Sequence, residues 1–196
     1  MVKRMETKGS PELLFIISPP PAIAEYVAML KQHVRLALGH PFEDEFAKAH
    51  ISLYRYRDAR AEDWLYQVDS TISACAPFHV HIKNLNWHDH GTTRTIYLEV
   101  VHKHPICDIA ERLASGTSAS PGQGFTPNIT IARDLDLNDF FKAWQSLKNL
   151  SYSDYFLCDH ITVLKKAAFP SAKLRAGESL RQRRRWTYYM DLSLAA

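Results

Sequence analysis

Apolar and polar positions alternate along this chain in two rhythms, and the switches between them predict its elements. ELLFIIS (12–18) is a nearly unbroken apolar run stopped by Pro19, Pro20 and Pro21, which predicts a buried strand. In AIAEYVAMLKQHVRLAL (22–38), Ile23, Val27, Leu30, Val34 and Leu38 recur at helical spacing, and Gly39 supplies the stop. KAHISLYRY (48–56) alternates with period two, placing Ile51 and Leu53 on one face. His50, Ser52, Tyr54 and Tyr56 then share the other. AEDWLYQVDSTISAC (61–75) predicts a helix; FHVHIKNLNW (78–87) and RTIYLEVV (94–101) predict a strand pair joined across 89–93.

The second half repeats this order. PICDIAERLAS (105–115) reads as a helix, GTSASPGQG (116–124) as a flexible loop, and FTPNITIARDL (125–135) as an alternating strand. LNDFFKAWQSLKNL (137–150) predicts a helix with Asn138 or Asp139 available as its cap. YFLCDHITVLKKA (155–167) reads as one strand and RRWTYYMDLSL (184–194) as a closing one. Helices between strands in both halves predict a mixed α/β (α+β) class. Residues 1–11 read as a flexible lead-in and 12–196 as a single domain. Its lobes fall at about 12–101 and 105–167, with the strand at 184–194 assigned to neither.

At 196 residues the chain is long enough to bury a proper core, and 46% hydrophobic with 23% charged residues is ordinary globular composition. A formal net charge of +3 suits a phosphorylated ligand without demanding one. Cys75, Cys107 and Cys158 are far apart, odd in number and free of CxxC spacing, so they read as reduced thiols of a cytoplasmic protein. The apolar run Leu13–Ile17 is too short for a secretory core and far too short to span a bilayer.

Residues two apart on a strand share a face, so His50 projects with Ser52 and Asn128 with Thr130. An imidazole beside a hydroxyl suits a phosphate: the ring exchanges a proton near neutral pH while the hydroxyl holds a non-bridging oxygen. Two such pairs facing each other clamp a phosphodiester.

AHIS (49–52) and TPNITIAR (126–133) resemble the paired His-x-Ser/Thr signatures of the two-histidine phosphoesterase superfamily, in its 2′-5′ RNA ligase (LigT-like) group. The resemblance runs from Glu12 to about Leu194 and takes in the opening strand before the prolines. It also includes the PFHVHIKNLNW and TIYLEV pair, Phe125-x-Pro127 before the second motif and Ile131-Ala132-Arg133 within it. It implies two pseudo-symmetric lobes of antiparallel-rich sheet with flanking helices around a central cleft. It implies chemistry without metal or cofactor on 2′-5′ linkages or 2′,3′-cyclic phosphates of RNA or nucleotides. His50 would then transfer protons, and Ser52 and Thr130 would hold phosphate oxygens. Asn128 stands where the family has its second histidine; an amide donates a hydrogen bond but does not titrate near neutral pH. The rival expectation is therefore a non-catalytic nucleotide- or RNA-binding module on the same fold.

Other residues compete for roles. His160-Ile161-Thr162 copies the motif on a different strand and is expected to stand outside the cleft. His79 with His81 on one strand face, His88 with His90, and His102 with His104 show no recognised metal-ligand spacing, and those in loops read as solvated side chains. Arg133 lies at an odd offset from Thr130, so it reaches a phosphate only if its strand ends or bulges there. Tyr54 shares the face of His50 and is expected to line the cleft. Arg181, Arg183, Arg184 and Arg185 precede Trp186, Tyr188 and Tyr189. That run reads either as a solvated turn or as a guide for RNA, with Arg185 on phosphate and Trp186 stacking a base.

Overall fold

Three consecutive prolines, Pro19–Pro21, turn the first strand directly into the first helix, because Pro21 opens helix α1 (Pro21–Leu38), where a missing N–H leaves no bond unmade. The helix ends on Gly39, whose φ of 77° puts it in the left-handed region and whose N–H reaches the carbonyl of Arg35 at 3.1 Å. Ile23, Val27, Leu30, Val34 and Leu38 are all buried, as the spacing predicts; Lys31 is buried with them. The computed structural model describes residues 11–58, 61–115, 125–166 and 186–195.

The strands are β1 (Glu12–Ile17), β2 (Ile51–Arg57), β3 (Phe78–Asp89), β4 (Arg94–Val101), β5 (Asn128–Leu135), β6 (Ser153–Cys158), β7 (His160–Lys166) and β8 (Thr187–Ser193). The remaining helices are α2 (Ala61–Ile72), α3 (His104–Ser115) and α4 (Leu137–Leu147). Two four-stranded antiparallel sheets result, ordered β2-β1-β7-β8 and β5-β4-β3-β6. This is the α+β architecture expected.

The lobes, however, are not consecutive halves of the chain. The β3–β4 hairpin, at 78–101, joins β5 in the second sheet, while β7 returns to pair with β1 in the first. The expected single strand at 155–167 divides at Asp159 into β6 and β7, one for each sheet. The burial parity shows why: Phe156 and Cys158 are buried before Asp159, Ile161 and Val163 after it, so the inward face changes from even to odd positions. The strand at 184–194 has a home as well, since β8 closes the first sheet against β7.

The helices stitch the sheets together. Although α1 follows β1 in sequence, it packs against α4 and β5; α3 packs against β2 and α2. One apolar cluster therefore runs from Leu13, Phe15 and Ile17 through Leu30 to Ile96, Leu98 and Ile129. Among the described residues no helix is long and apolar enough to cross a membrane.

The cap of α4 is Asp136, ahead of the residues the sequence offered: its Oδ1 accepts the N–H of Asp139 at 2.9 Å. Asp136→Ala should lower stability by about 1 kcal/mol, the usual value of an acidic N-cap. Asn138→Ala, at an exposed position, should stay within about 0.5 kcal/mol of the parent. Urea denaturation of the two variants checks this.

Candidate active site

His50 stands immediately before β2, and Asn128 is the first residue of β5. The two segments come together in space, and between them lies a cleft of about 440 Å³ lined by His50, Ser52, Asn128 and Thr130.

The His50 ring is oriented by its own backbone. Nδ1 lies 2.8 Å from the carbonyl of Lys48, and a carbonyl only accepts, so Nδ1 carries the proton and Nε2 is left as a base. Burial pushes the pKa of this imidazole down. The Lys48 carbonyl and Asp44 pull the other way, and Lys31 and Arg133 add to the downward push. The ring is thus held neutral, the form that accepts a proton.

Asn128 repeats the same anchor in the second lobe. Its Nδ2 donates to the carbonyl of Thr126 at 3.0 Å, again two residues back, so the amide N–H does what the imidazole Nδ1–H does in His50. The amide oxygen is occupied as well, accepting the hydroxyl of Thr130 at 3.2 Å. No titrating atom remains on this side chain.

Arg133 reaches the cleft despite its odd offset. The β4–β5 pairing shifts register on either side of Ile96, and Asp134 adopts a φ of 54°, so the strand bulges where a regular one would turn Arg133 away. Its guanidinium forms an ion pair with Asp44, 3.3 Å from Nε to Oδ2.

Tyr54 corrects the sequence reading. The β1–β2 pairing shifts by a residue between Phe15 and Ile16, so Ile16 faces Ser52 while Phe15 faces Tyr54. That bulge sends Tyr54 into the core, 8% exposed, with its ring 6.0 Å from that of Trp64. Tyr56 goes the same way and stacks on Trp64 at 4.1 Å. Arg55, which is exposed, takes the face that alternation assigned to tyrosine.

Trp186 also lies outside the cleft lining: the Arg55 guanidinium and the Lys166 ammonium sit 5.5 and 5.3 Å from its ring. Arg185, with Arg181, Arg183 and Arg184, falls outside the described residues. His160 belongs to β7, on the far side of β1 from β2, and pairs with Asp159 rather than lining the cleft.

Two imidazoles that the sequence left among solvated side chains do enter the cleft, His88 and His90. His88 stacks on Tyr97 at 4.3 Å, and His90 Nε2 meets Thr95 Oγ1 at 3.2 Å. Strand β3 runs two residues past its expected end at 87, to Asp89, which carries His88 onto the sheet. The usable signal was on β4, where Thr95, Tyr97 and Glu99 alternate as a polar face directly beside Asn128 and Thr130. Among the described residues no group of three or more His, Cys, Asp or Glu is arranged to hold a metal ion.

The sequence model of the 2′-5′ RNA ligase superfamily matches residues 19–168. The chain belongs to the 2′-5′ RNA ligase superfamily. Solved structures share its fold at low identity. Apo LigT of E. coli superposes with a TM-score of 0.61 at 18% identity, covering 95% of this chain and 99% of that one. TT0787 of Thermus thermophilus gives 0.62 at 15% identity, over 93% and 97% of the two chains. E. coli LigT has also been solved in complex with 3′-AMP, with a TM-score of 0.61 at 17% identity over 95% and 99%. No curated protein matches the chain.

His50 should titrate below the ordinary imidazole value of 6.5 in an NMR pH series. Arg133→Gln should move it upward, since removing that cation takes away one downward push and leaves Asp44 without its ion pair to Arg133. A folded value below the unfolded one means that the ring's contribution to stability is present above the unfolded pKa and lost as pH falls toward the folded one.

Proposed function

We propose that this cleft acts on a phosphodiester of RNA or of a nucleotide, either a 2′,3′-cyclic phosphate or a 2′-5′ linkage. The observation that carries the reading is the paired anchor. His50 and Asn128 enter one cleft, each tied to the carbonyl two residues back and each followed by a hydroxyl at the second position, Ser52 or Thr130.

In this reading one phosphate bridges the lobes. Ser52 and Thr130 donate to its non-bridging oxygens, for which the Thr130 hydroxyl turns away from the Asn128 amide oxygen. The second N–H of Asn128 and the guanidinium of Arg133 add donors to the same charge. His50 Nε2 takes the proton of the attacking hydroxyl or water. The complex of E. coli LigT with 3′-AMP supports a nucleotide as the class of ligand. Free Cys75, Cys107 and Cys158 agree with a reducing, cytoplasmic setting.

The second reading is a binding module on the same fold. It is favoured by Asn128, which can donate a hydrogen bond to a phosphate but transfers no proton.

Calorimetry with 2′-AMP and with adenosine 2′,3′-cyclic phosphate, combined with chromatographic assay of turnover, tests both. Binding of either ligand is expected. His50→Ala should reduce turnover of the cyclic phosphate by about 10²–10⁴-fold, the range of general base catalysis, and change affinity much less. Binding without turnover would select the module; failure of both ligands to bind at millimolar concentration would overturn both readings.

A further inference from the structure

Asn128 does not titrate near neutral pH, and the β3–β4 hairpin delivers imidazoles to the same space. The useful one is His90. Its Nε2 meets the hydroxyl of Thr95 at 3.2 Å, which leaves Nδ1 for a substrate. Thr95 is buried on β4, two residues from Tyr97, and Tyr97 is the direct partner of Thr130. Thr95 and Thr130 both line the cleft. The His90–Thr95 pair repeats the imidazole-and-hydroxyl arrangement of His50 and Ser52, assembled across a hairpin instead of along a strand.

The hairpin that carries it is well fixed. His90 N–H donates to the carbonyl of Thr93 at 2.9 Å, closing the turn. Asp89 takes the Gly91 N–H on one oxygen at 2.7 Å and the Arg94 guanidinium on the other at 2.9 Å. Gly91 sits at a φ of 84°, where a side chain would be strained. Such a turn holds a ring in place without a cost in ordering at the moment of reaction.

His88 is the weaker choice. Its ring lies against Tyr97, and burial first, then His90 and Lys103, disfavour its charged form, with Glu99 opposing. His90 is exposed, so it regains a proton from solvent after each turnover.

We propose that His90 is the second proton-transfer residue of this site, giving the leaving oxygen the proton that Asn128 cannot; this rests on the phosphodiesterase reading above. For a 2′,3′-cyclic phosphate, a water oxygen bonds to phosphorus and its proton passes to His50 Nε2. One ribose P–O bond breaks, and that oxygen takes a proton from His90. One water is consumed, a phosphomonoester is released, and exchange with solvent restores both rings. The groups around His90 are His88, 6.2 Å away between ring centroids, and the Asp89–Arg94 pair of its own turn. Arg133 and Asp134 of β5 and His50 line the same cleft.

The test is turnover of adenosine 2′,3′-cyclic phosphate across pH by the parent, His90→Gln, and His90→Gln combined with Asn128→His. A base that must be neutral and an acid that must be protonated give the parent a bell-shaped profile. His90→Gln should lower kcat about 10²-fold or more, remove the alkaline limb and leave KM within a few-fold. Adding Asn128→His should restore part of the rate and the alkaline limb, while the loss of that limb in His90→Gln alone is the change a merely structural role would not produce. Thr95→Val, which keeps the ring but removes its hydroxyl anchor, should lower kcat by a smaller factor. It serves as the probe should His90→Gln lose its thermal transition. Parental kcat and an unchanged alkaline limb in His90→Gln would overturn the inference and leave the phosphodiesterase reading standing. A parent that binds the cyclic phosphate without turning it over also overturns it. Absence of both binding and turnover sinks the reading on which it rests.

Discussion

Lys31 extends from the buried face of α1 and donates its ammonium to the carbonyls of Asp44 and Ala47 at 2.6 and 2.8 Å, inside the loop that leads to His50. An ammonium only 4% exposed is an expensive group to bury, on the order of several kcal/mol before compensation, and burial accordingly pushes its pKa down. The two carbonyls and the charge of Asp44 offset that cost. What the contact secures is a stretch with no strand or helix to hold it. Asp44 in turn pairs with Arg133 of β5, so one chain of charges runs from α1 through the first motif's loop to the second motif's strand. This link ties together the two segments that carry the motifs.

The site inherits its electrostatics from the same groups. Lys31 and Arg133 keep positive charge near the cleft and also disfavour protonation of His50. The cations suited to attract an anionic ligand thus help keep the His50 ring neutral. Burial acts in the same direction and is the larger effect.

The two lobes are alike in how they anchor a side chain and unlike in what that side chain can do. Both imidazole Nδ1–H and amide Nδ2–H satisfy a carbonyl two residues back, so backbone geometry tolerates either residue. The difference lies on the outward side, where one presents a basic nitrogen and the other an oxygen already held by Thr130. A side chain's anchor is therefore poor evidence for its chemistry. The His90–Thr95 pair matters for the same reason, since a proton-transfer group need not sit on the strand that carries the anchor.

Local pattern was enough for α1 with its proline start and glycine stop, for the alternating strands, and for the pairing of His50 with Ser52 and of Asn128 with Thr130. Those features depend on residues within a few positions of one another, and the rotation of a helix or strand carries them directly. The burial of Tyr54, the division of β6 from β7 and the arrival of His88 and His90 depended on the tertiary structure. A one-residue bulge reverses the faces of a strand, and its position is set by the partner strand, as Ile16 and Phe15 set it for Ser52 and Tyr54. Which sheet a strand joins is likewise a contest between distant partners, and period-two alternation reads the same in either. The sequence on its own therefore determined that an imidazole and an amide would each stand two positions before a hydroxyl on a strand, and the family resemblance implied that the two pairs would share a cleft. Only the packing of β3 and β4 against β5 decided which further imidazoles would join them, because that proximity arises from pairings between strands far apart in the chain.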